Sequence, residues 1–106
     1  MALRDRKCVP CEGGVDPLSK KETRRLLGQI DGWSERRKKI QKTRTFADFR
    51  GAMAFVGRVA DLAEDEGHHP DFCVHYNRVD LTIWTHAIGG LSENDFILAA
   101  KIDALG

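Results

Sequence analysis

The sequence predicts a two-layer α+β domain, in which helices cover one face of a four-stranded antiparallel sheet. Three observations support this prediction. Apolar residues recur at helical spacing between residues 48 and 66, which indicates one long helix. Apolar and polar residues alternate between residues 79 and 84, as in a strand with one buried face. The elements follow in the order β-β-α-β-β-α after a short helix, which is typical of helices packed on one face of an antiparallel sheet.

The composition is that of one globular domain, and we expect it to be cytoplasmic. The chain has 106 residues, of which 42% are hydrophobic and 31% are charged. No stretch approaches the ~20 apolar residues that a membrane-spanning helix needs. The first seven residues carry charges without a following apolar run, so they do not form a secretory signal. A chain this short buries only about two thirds of its unfolded surface, so association between chains would help to stabilise it.

The net charge of +1 hides an uneven distribution of charged residues. Most lysines and arginines precede residue 51, and most acidic residues follow it. The basic run Arg36-Arg37-Lys38-Lys39 is short, whereas nucleic-acid binding usually needs a wider basic patch with interleaved aromatic residues. Charged residues on an edge strand are also a common defence against aggregation. We therefore expect a solvated sheet edge and no nucleic-acid partner.

Residues 1–18 are predicted to form an N-terminal arm before a single domain at residues 19–106. Glycine and proline are frequent in the arm and favour turns over regular structure. The arm carries Cys8-Val9-Pro10-Cys11, which is half of a zinc ribbon, but no second pair follows and the remaining cysteine is Cys73. An odd number of cysteines without an export signal predicts free thiols and no structural metal.

The first helix and the first two strands have local signals. Ser19, followed three residues later by Glu22, forms a capping-box pattern that predicts a helix over residues 20–29. Residues 33–40 and 42–46 combine β-compatible side chains with many charges, so we expect two strands with one wet face.

The long helix is predicted to carry two apolar stripes. The first stripe consists of Phe49, Ala52, Met53, Val56, Val59, Ala60 and Ala63. Phe55 and Leu62 lie off that face, and a second stripe usually means a second neighbour, either another helix or another chain. Together with the small core, the second stripe predicts a homodimer or a homotetramer.

A hairpin and a closing helix complete the predicted domain. Residues 72–76 and 79–86 are expected to be strands, and residues 77–78 join them in a tight turn. Ser92, with Asp95 three residues later, caps the final helix. The apolar pattern of Phe96, Leu98, Ala99, Ile102 and Leu105 predicts that helix.

Candidate catalytic residues gather where the long helix meets this hairpin. The helix stops at a glycine, and Pro70 forces His69 towards an extended backbone. His68 and His69 therefore point to opposite sides, which suits two separate roles better than two ligands of one metal. His86, at the end of a predicted strand, and Asp95, at the start of the closing helix, are expected to meet them in one pocket.

Four segments of the chain together form a distinctive motif. They are Ala63-Glu64-Asp65-Glu66-Gly67-His68-His69-Pro70, Tyr76-Asn77-Arg78-Val79, Thr85-His86 and Gly90-Leu91-Ser92-Glu93-Asn94-Asp95. With this motif, the chain resembles the pterin-4a-carbinolamine dehydratases. The resemblance extends from about Leu18 to the end of the chain, and the arm resembles that of bacterial members. This resemblance implies the same α+β fold that the order of elements predicts. Asn94 is a departure, because mammalian members carry an arginine there.

The resemblance implies a dehydratase that removes water from a 4a-hydroxytetrahydropterin and yields a quinonoid dihydropterin. This substrate is left when an aromatic amino acid hydroxylase has used its cofactor, so a hydroxylase is an expected partner. The reaction needs an acid for the departing hydroxyl and a base for the proton on the neighbouring ring nitrogen. Histidine can serve both purposes without a metal or another cofactor.

The family motif also implies roles for individual residues. The candidate catalytic residues are His68, His86 and His69, with His68 and His86 as acid and base. The candidate substrate-binding residues are His69, which mainly holds the pterin, Glu64, Asp95 and Trp33. Glu64 is expected to orient an imidazole, and Asp95 is expected to do the same for His86. A tryptophan such as Trp33 is, however, more often a half-buried core residue than a platform for ring stacking.

Two other functions remain open on the sequence. A zinc hydrolase would use His68, His69 and His86 with a carboxylate, although adjacent histidines are poor metal geometry and no His-x-x-x-His pair is present. A non-catalytic dimerisation module is the other alternative, because some members of this family also act as dimerisation partners of a transcription factor. The intact three-histidine motif favours catalysis.

Overall fold

The structure, a computed structural model, describes residues 2–9 and 16–105 and has the predicted order of elements. The helices are α1 (Lys20–Leu27), α2 (Phe49–Glu66) and α3 (Glu93–Ala104), and the strands are β1 (Ser34–Arg36), β2 (Lys39–Thr45), β3 (Asp71–His75) and β4 (Arg78–Ile83). Single turns of 3-10 helix cover Leu3–Asp5 and His86–Ile88. The α+β class with one four-stranded antiparallel sheet is therefore confirmed.

The sheet has one face buried under the helices. Its strands lie in the order β1-β2-β4-β3, and each neighbouring pair is antiparallel. Ile40 of β2 pairs with Ile83 of β4, and both are fully buried in the core that α2 and α3 complete. Along β4, Val79 and Leu81 share this buried face, whereas Asp80 lies on the other face. The predicted alternation along β4 thus decides which side of the sheet the helices cover.

Both ends of α2 follow local sequence signals. At its start, the Asp48 carboxylate accepts a hydrogen bond from the Gly51 N–H at 2.8 Å. At its end, Gly67 has a left-handed φ of 65°, and its N–H donates to the Ala63 carbonyl. The helix therefore stops where the sequence predicted, and His68 follows directly after it.

The structure corrects the assignment of the two stripes on α2. Phe55 is fully buried and packs against Phe46 with ring centroids 5.0 Å apart, whereas Phe49 and Met53 are 50% and 42% exposed. Leu62, the other member of the second stripe, is partly buried against the core. The prediction was right for Ala52, Val56, Val59 and Ala63, which are buried, and wrong for Phe49, Met53 and Ala60, because the two stripes overlap on the helix surface. Periodicity alone does not say which of them meets the sheet.

The turns of both hairpins lie at other positions than the sequence predicted. The first turn lies at Arg37 and Lys38, which have positive φ angles of 54° and 63°. The second begins at Tyr76, with φ of 55°, and β4 starts at Arg78. Such tight turns usually carry glycine or asparagine, and residues 37–38 are neither, so no local signal marks this turn. The basic residues of the first turn are exposed, as expected.

The N-terminal segment packs on the domain. The sequence predicted no regular structure there, but Leu3–Asp5 form one helical turn and Leu3 is 5% exposed within the core. The Arg6 guanidinium also pairs with Glu93 of α3 at 2.7 Å. Cys11, the other predicted free thiol of this segment, lies outside the described residues.

The remaining helices agree with their predicted caps. The Ser19 hydroxyl accepts a hydrogen bond from the Glu22 N–H at 3.2 Å, although α1 ends at Leu27, two residues earlier than predicted. Ser92 and Asp95 form the predicted capping box at the start of α3. Within residues 2–9 and 16–105, no helix is both long enough and apolar enough to cross a membrane.

Candidate active site

Three of the four histidines line one cavity at the end of β4. This cavity has a volume of about 310 Å³. Its lining residues are Val9, Gly67, His68, His69, Pro70, Asp71, Trp84, Thr85, His86, Ala87 and Asn94. The chain segments that follow α2 and β4 therefore bring the three imidazoles together, as the sequence predicted. The fourth histidine, His75, lies on the edge strand β3 with its side chain 58% exposed, away from this cavity.

His68 forms a buried pair with Asp95. The His68 Nε2 lies 2.6 Å from Asp95 Oδ1, and the two side chains are 13% and 0% exposed. The other carboxylate oxygen, Oδ2, accepts hydrogen bonds from the Thr85 hydroxyl at 2.9 Å and from the Ser92 N–H at 2.8 Å. Both oxygens of Asp95 are thus engaged, so the carboxylate holds His68 in one orientation.

The sequence assigned Asp95 to the wrong histidine. It predicted that Asp95 orients His86, but Asp95 contacts His68. The reason is the path of the chain after β4. The strand ends at Ile83, and a 3-10 turn then carries His86 towards the exposed side of the cavity.

His69 forms an exposed pair with Glu64. The His69 Nε2 lies 2.7 Å from Glu64 Oε2, and the two side chains are 60% and 77% exposed. The imidazole that Glu64 contacts is that of His69. His68 and His69 use carboxylates on different elements, as their predicted opposite directions require.

His86 stacks on Trp84. The ring centroids are 3.8 Å apart, with an angle of 35° between the ring planes. The Lys39 ammonium lies 4.6 Å from the centroid of the Trp84 ring. Within the described part of the chain, the buried indole Nε1 of Trp84 has no hydrogen-bond partner. Trp84 therefore forms one wall of the cavity and supports His86.

The aromatic residue at the cavity is Trp84, whereas the sequence analysis selected Trp33. Trp33 is 8% exposed, and its Nε1 donates to Asp103 of α3 at 3.0 Å, away from the residues that line the cavity. Lys42 binds the same carboxylate at 2.8 Å. Trp33 therefore has a structural position. The sequence did offer a signal for Trp84, which lies two residues before His86 at the end of the alternating strand.

Two buried polar side chains hold the N-terminal segment beside the cavity. Asn94 receives a hydrogen bond from the Val9 N–H at 3.0 Å and donates one to the Val9 carbonyl at 2.6 Å. Glu66 accepts one from the Cys8 N–H at 2.8 Å, and Lys101 lies 3.6 Å from its other oxygen. Cys8 and Val9 thus have a fixed position at the rim of the site.

Cys8 and Glu66 shift each other's titration. Burial raises the pKa of the Cys8 thiol to about 12, and the Glu66 carboxylate adds to this rise. Burial acts to raise the pKa of Glu66 as well, but the hydrogen bond from the Cys8 N–H and the charges of Lys101 and Lys7 outweigh it. The pKa of Glu66 therefore lies below its ordinary value of 4.5. Cys8 is consequently a neutral thiol at physiological pH.

The histidines of the cavity do not form a metal-binding cluster. Among the side chains of residues 2–9 and 16–105, no group of three or more His, Cys, Asp or Glu is arranged to hold a metal ion. His68 and His69 direct their Nε2 atoms at separate carboxylates. The arrangement offers imidazoles for proton transfer within one cavity.

Comparison with known proteins identifies the family. A profile of the family described as pterin 4 alpha carbinolamine dehydratase matches residues 16–105. The chain belongs to this family. A protein of Nitrosomonas eutropha assigned to the pterin-4-alpha-carbinolamine dehydratases is 53% identical over 104 residues, which cover 97% of this chain and 92% of that relative. A relative from Halorhodospira halophila is 46% identical over 108 residues, which cover 100% of this chain and 99% of that relative.

A solved structure has the same fold as this member of the dehydratase family. It is a transcriptional coactivator/pterin dehydratase of Brucella melitensis, with a TM-score of 0.81 and 36% sequence identity. The match covers 85% of this chain and 98% of that chain. The predicted family and the predicted enzyme class, a hydro-lyase that acts as a pterin-4a-carbinolamine dehydratase, are confirmed.

Proposed function

We propose that His68 and His86 perform the proton transfers of the dehydration and that His69 holds the pterin. The observation that carries this proposal is the presence of three imidazoles in one cavity. In the reaction, an acid protonates the hydroxyl at C4a so that it leaves as water. A base takes the proton from the neighbouring ring nitrogen, and the product is a quinonoid dihydropterin. Two imidazoles supply both groups near neutral pH.

The Asp95 pair defines which nitrogen of His68 acts. Asp95 already accepts hydrogen bonds from Thr85 and Ser92, and as a carboxylate it accepts one from His68 Nε2 as well. This contact favours the tautomer with hydrogen on Nε2, and it leaves Nδ1 of His68 for the substrate. In this proposal Asp95 is a positioning residue and His68 exchanges the proton.

His86 and His69 complete the proposed site from its exposed side. His86 has no carboxylate partner among the described residues and rests on Trp84, so its imidazole is available to the substrate. His69 is held by Glu64, and both are exposed, which suits a group that binds the ligand and does not exchange protons with it. The proposed reaction uses these side chains and no cofactor.

The proposed substrate is the 4a-hydroxytetrahydropterin that an aromatic amino acid hydroxylase releases in the cytoplasm. A hydroxylase is therefore the proposed metabolic partner. The proposed assembly is a homodimer or a homotetramer. Phe49 and Met53 expose apolar surface on α2 and support this assembly in place of the buried Phe55. Light scattering at micromolar concentration checks it, and a monomer would contradict it.

A turnover assay tests the proposed mechanism. The substrate is generated in place by a pterin-dependent hydroxylase, and dehydration is followed by absorbance after subtraction of the uncatalysed rate. The wild-type protein is expected to accelerate dehydration, and a variant with both His68→Ala and His86→Ala is expected to return it to the uncatalysed rate. His75→Ala is the matched control, because His75 lies outside the cavity, and it should keep full activity. Full activity in the double variant would overturn the assignment.

A second candidate function is a non-catalytic dimerisation role. The Brucella melitensis relative is described as both a coactivator and a pterin dehydratase, which supports this candidate. Such a role would survive the loss of both His68 and His86, whereas turnover would not. The zinc-hydrolase alternative has its own test. One equivalent of zinc in the purified protein, with loss of turnover when the zinc is removed, would favour it over the proposed mechanism.

A further inference from the structure

The N-terminal segment contributes a residue to the wall of the histidine cavity. Val9 lines this cavity together with His68, His69 and His86, although it lies far from them in the sequence. Its side chain is 66% exposed, so it contributes little to the core of the domain. An exposed apolar side chain at the rim of a cavity gains most when a ligand covers it.

Asn94 holds the backbone of Val9 as a neighbouring β-strand would. Its side-chain oxygen accepts from the Val9 N–H at 3.0 Å, and its side-chain nitrogen donates to the Val9 carbonyl at 2.6 Å. Asn94 itself is 4% exposed. If the segment moved away, this buried amide would lose both partners, which is costly. The buried Asn94 amide therefore fixes the backbone of Val9 in place.

A second anchor lies one residue earlier. The Cys8 N–H donates to Glu66 at the end of α2, and the Glu66 side chain is 4% exposed. Two consecutive residues are thus bound by two different helices, α2 through Glu66 and α3 through Asn94. The same two helix ends supply His68 and its partner Asp95. The same two helix ends therefore hold both the cavity wall and the His68–Asp95 pair.

We propose that Val9 is a substrate-contacting wall of the pterin pocket and that Asn94 is the positioning residue that keeps it there. This inference rests on the proposed function, because it assigns the cavity to a pterin. The apolar part of Val9 covers one side of the bound ring system, while the imidazoles meet its polar atoms. The wall adds binding energy equally to substrate and transition state, so it acts on KM and leaves kcat unchanged.

The test is binding of 7,8-dihydrobiopterin, a stable dihydropterin, measured by fluorescence titration beside the turnover assay. Asn94→Ala is expected to raise both Kd and KM by about three- to tenfold, with kcat within about twofold of the wild type. Val9→Ala is expected to raise Kd by about two- to threefold, because only part of the side chain is removed. An unchanged kcat shows that the neighbouring Asp95 still holds His68.

Non-additivity distinguishes a positioning residue from an independent contact. If Asn94 acts through Val9, the variant with both Val9→Ala and Asn94→Ala should bind no more weakly than Asn94→Ala alone. Arg6→Ala is the matched control. It removes the ion pair with Glu93 from the same segment, at 2.7 Å, without touching the cavity. It should leave Kd and KM at wild-type values.

The possible results separate this inference from the proposed function. If the wild type is active and both Val9→Ala and Asn94→Ala keep wild-type Kd and KM, the proposed role of Val9 is wrong. The proposed function would then still stand. Weaker binding in Arg6→Ala as well would show that the segment acts only through stability. A wild type that binds the pterin but has no turnover would overturn the function alone, and one that does not bind it would overturn both. If Asn94→Ala does not fold, Val9→Ala decides, since its side chain is largely exposed.

Discussion

His68 and His69 are neighbours in sequence, yet they form two very different histidine–carboxylate pairs. The nitrogen–oxygen distances are almost equal, 2.6 Å to Asp95 and 2.7 Å to Glu64. The side chains of the first pair are 13% and 0% exposed, and those of the second are 60% and 77% exposed. The distances alone therefore do not show which of the two pairs contributes more to stability.

The difference in burial separates a fixed group from an adaptable one. Asp95 is fully buried, so solvent does not reach it to replace a lost partner, and breaking its contacts is costly. Glu64 and His69 exchange their contact for water easily, and such exposed pairs contribute little to stability. The buried pair suits a group that must hold one orientation during proton transfer, and the exposed pair suits a group that adjusts to a ligand.

The largest expected effect separates the two histidines by kinetics. His68→Ala should lower kcat by ~10²- to 10⁴-fold, as the loss of a proton-transfer group does, whereas His69→Ala should mainly raise KM. His86→Ala should also act on kcat, and the variant lacking both His68 and His86 should lose far more than either single variant. Steady-state kinetics, corrected for the uncatalysed reaction, measure all four variants. Wild-type kcat in both His68→Ala and His86→Ala would show that the acid–base assignment is wrong.

The second expected effect separates the two carboxylates by stability. Asp95→Ala removes a fully buried carboxylate and leaves His68, Thr85 and Ser92 without their acceptor, so it should lower the free energy of unfolding by about 3–5 kcal/mol. Glu64→Ala should leave the urea midpoint unchanged. Equal midpoints for the two variants would contradict the ranking by burial. Asp95→Asn, which keeps the size of the side chain, should lie between them.

A third carboxylate near the same helix end extends the comparison to pH. Glu66 lies two residues after Glu64, but its side chain is 4% exposed and its pKa is lowered below 4.5 in the folded state. Its contribution to stability is therefore present above about pH 4.5 and is lost as the pH falls through the folded-state pKa. Glu66→Gln should remove this part of the pH dependence in urea unfolding between pH 3 and pH 7. The same acid limb in wild type and variant would contradict it.

The smallest expected effect concerns the thiols, which repeat the contrast between buried and exposed groups. The pKa of Cys8 is raised to about 12, so only a very small fraction of Cys8 is in the reactive thiolate form at pH 8. Cys73 is exposed on β3. In a Cys11→Ser background, iodoacetamide should modify Cys73 well before Cys8, as peptide mass spectrometry can measure.

Replacing both Cys8 and Cys11 by serine should leave turnover nearly unchanged, and loss of a bound metal on that change would contradict the predicted free thiols.

The sequence was a good guide wherever a signal lies within a few residues of its effect. The caps at Ser19 and Ser92, and the stop at Gly67, lie where the sequence predicted them. The opposite directions of His68 and His69 also follow from the chain itself, because a helix stop and a following proline leave little freedom. The three histidines of the family motif line one cavity.

Contacts between distant segments were decided by the tertiary structure. Asp95 lies 27 positions after His68, and Asn94 lies 85 positions after Val9. No local pattern tells which imidazole Asp95 meets, or that Asn94 holds the N-terminal segment. The exchange of Trp33 for Trp84 at the cavity has the same origin, since an indole fits both a core and a rim.

The sequence by itself determined the order of elements, the buried face of β4 and the set of candidate histidines. These depend on spacing along the chain, which capping and side-chain periodicity convert directly into local geometry. Only the tertiary structure decided that Phe55 faces the core while Phe49 is exposed, that Asp95 serves His68, and that Val9 reaches the cavity. The physical reason is that burial and hydrogen-bond pairing depend on which surfaces meet, and packing settles this for the whole domain at once.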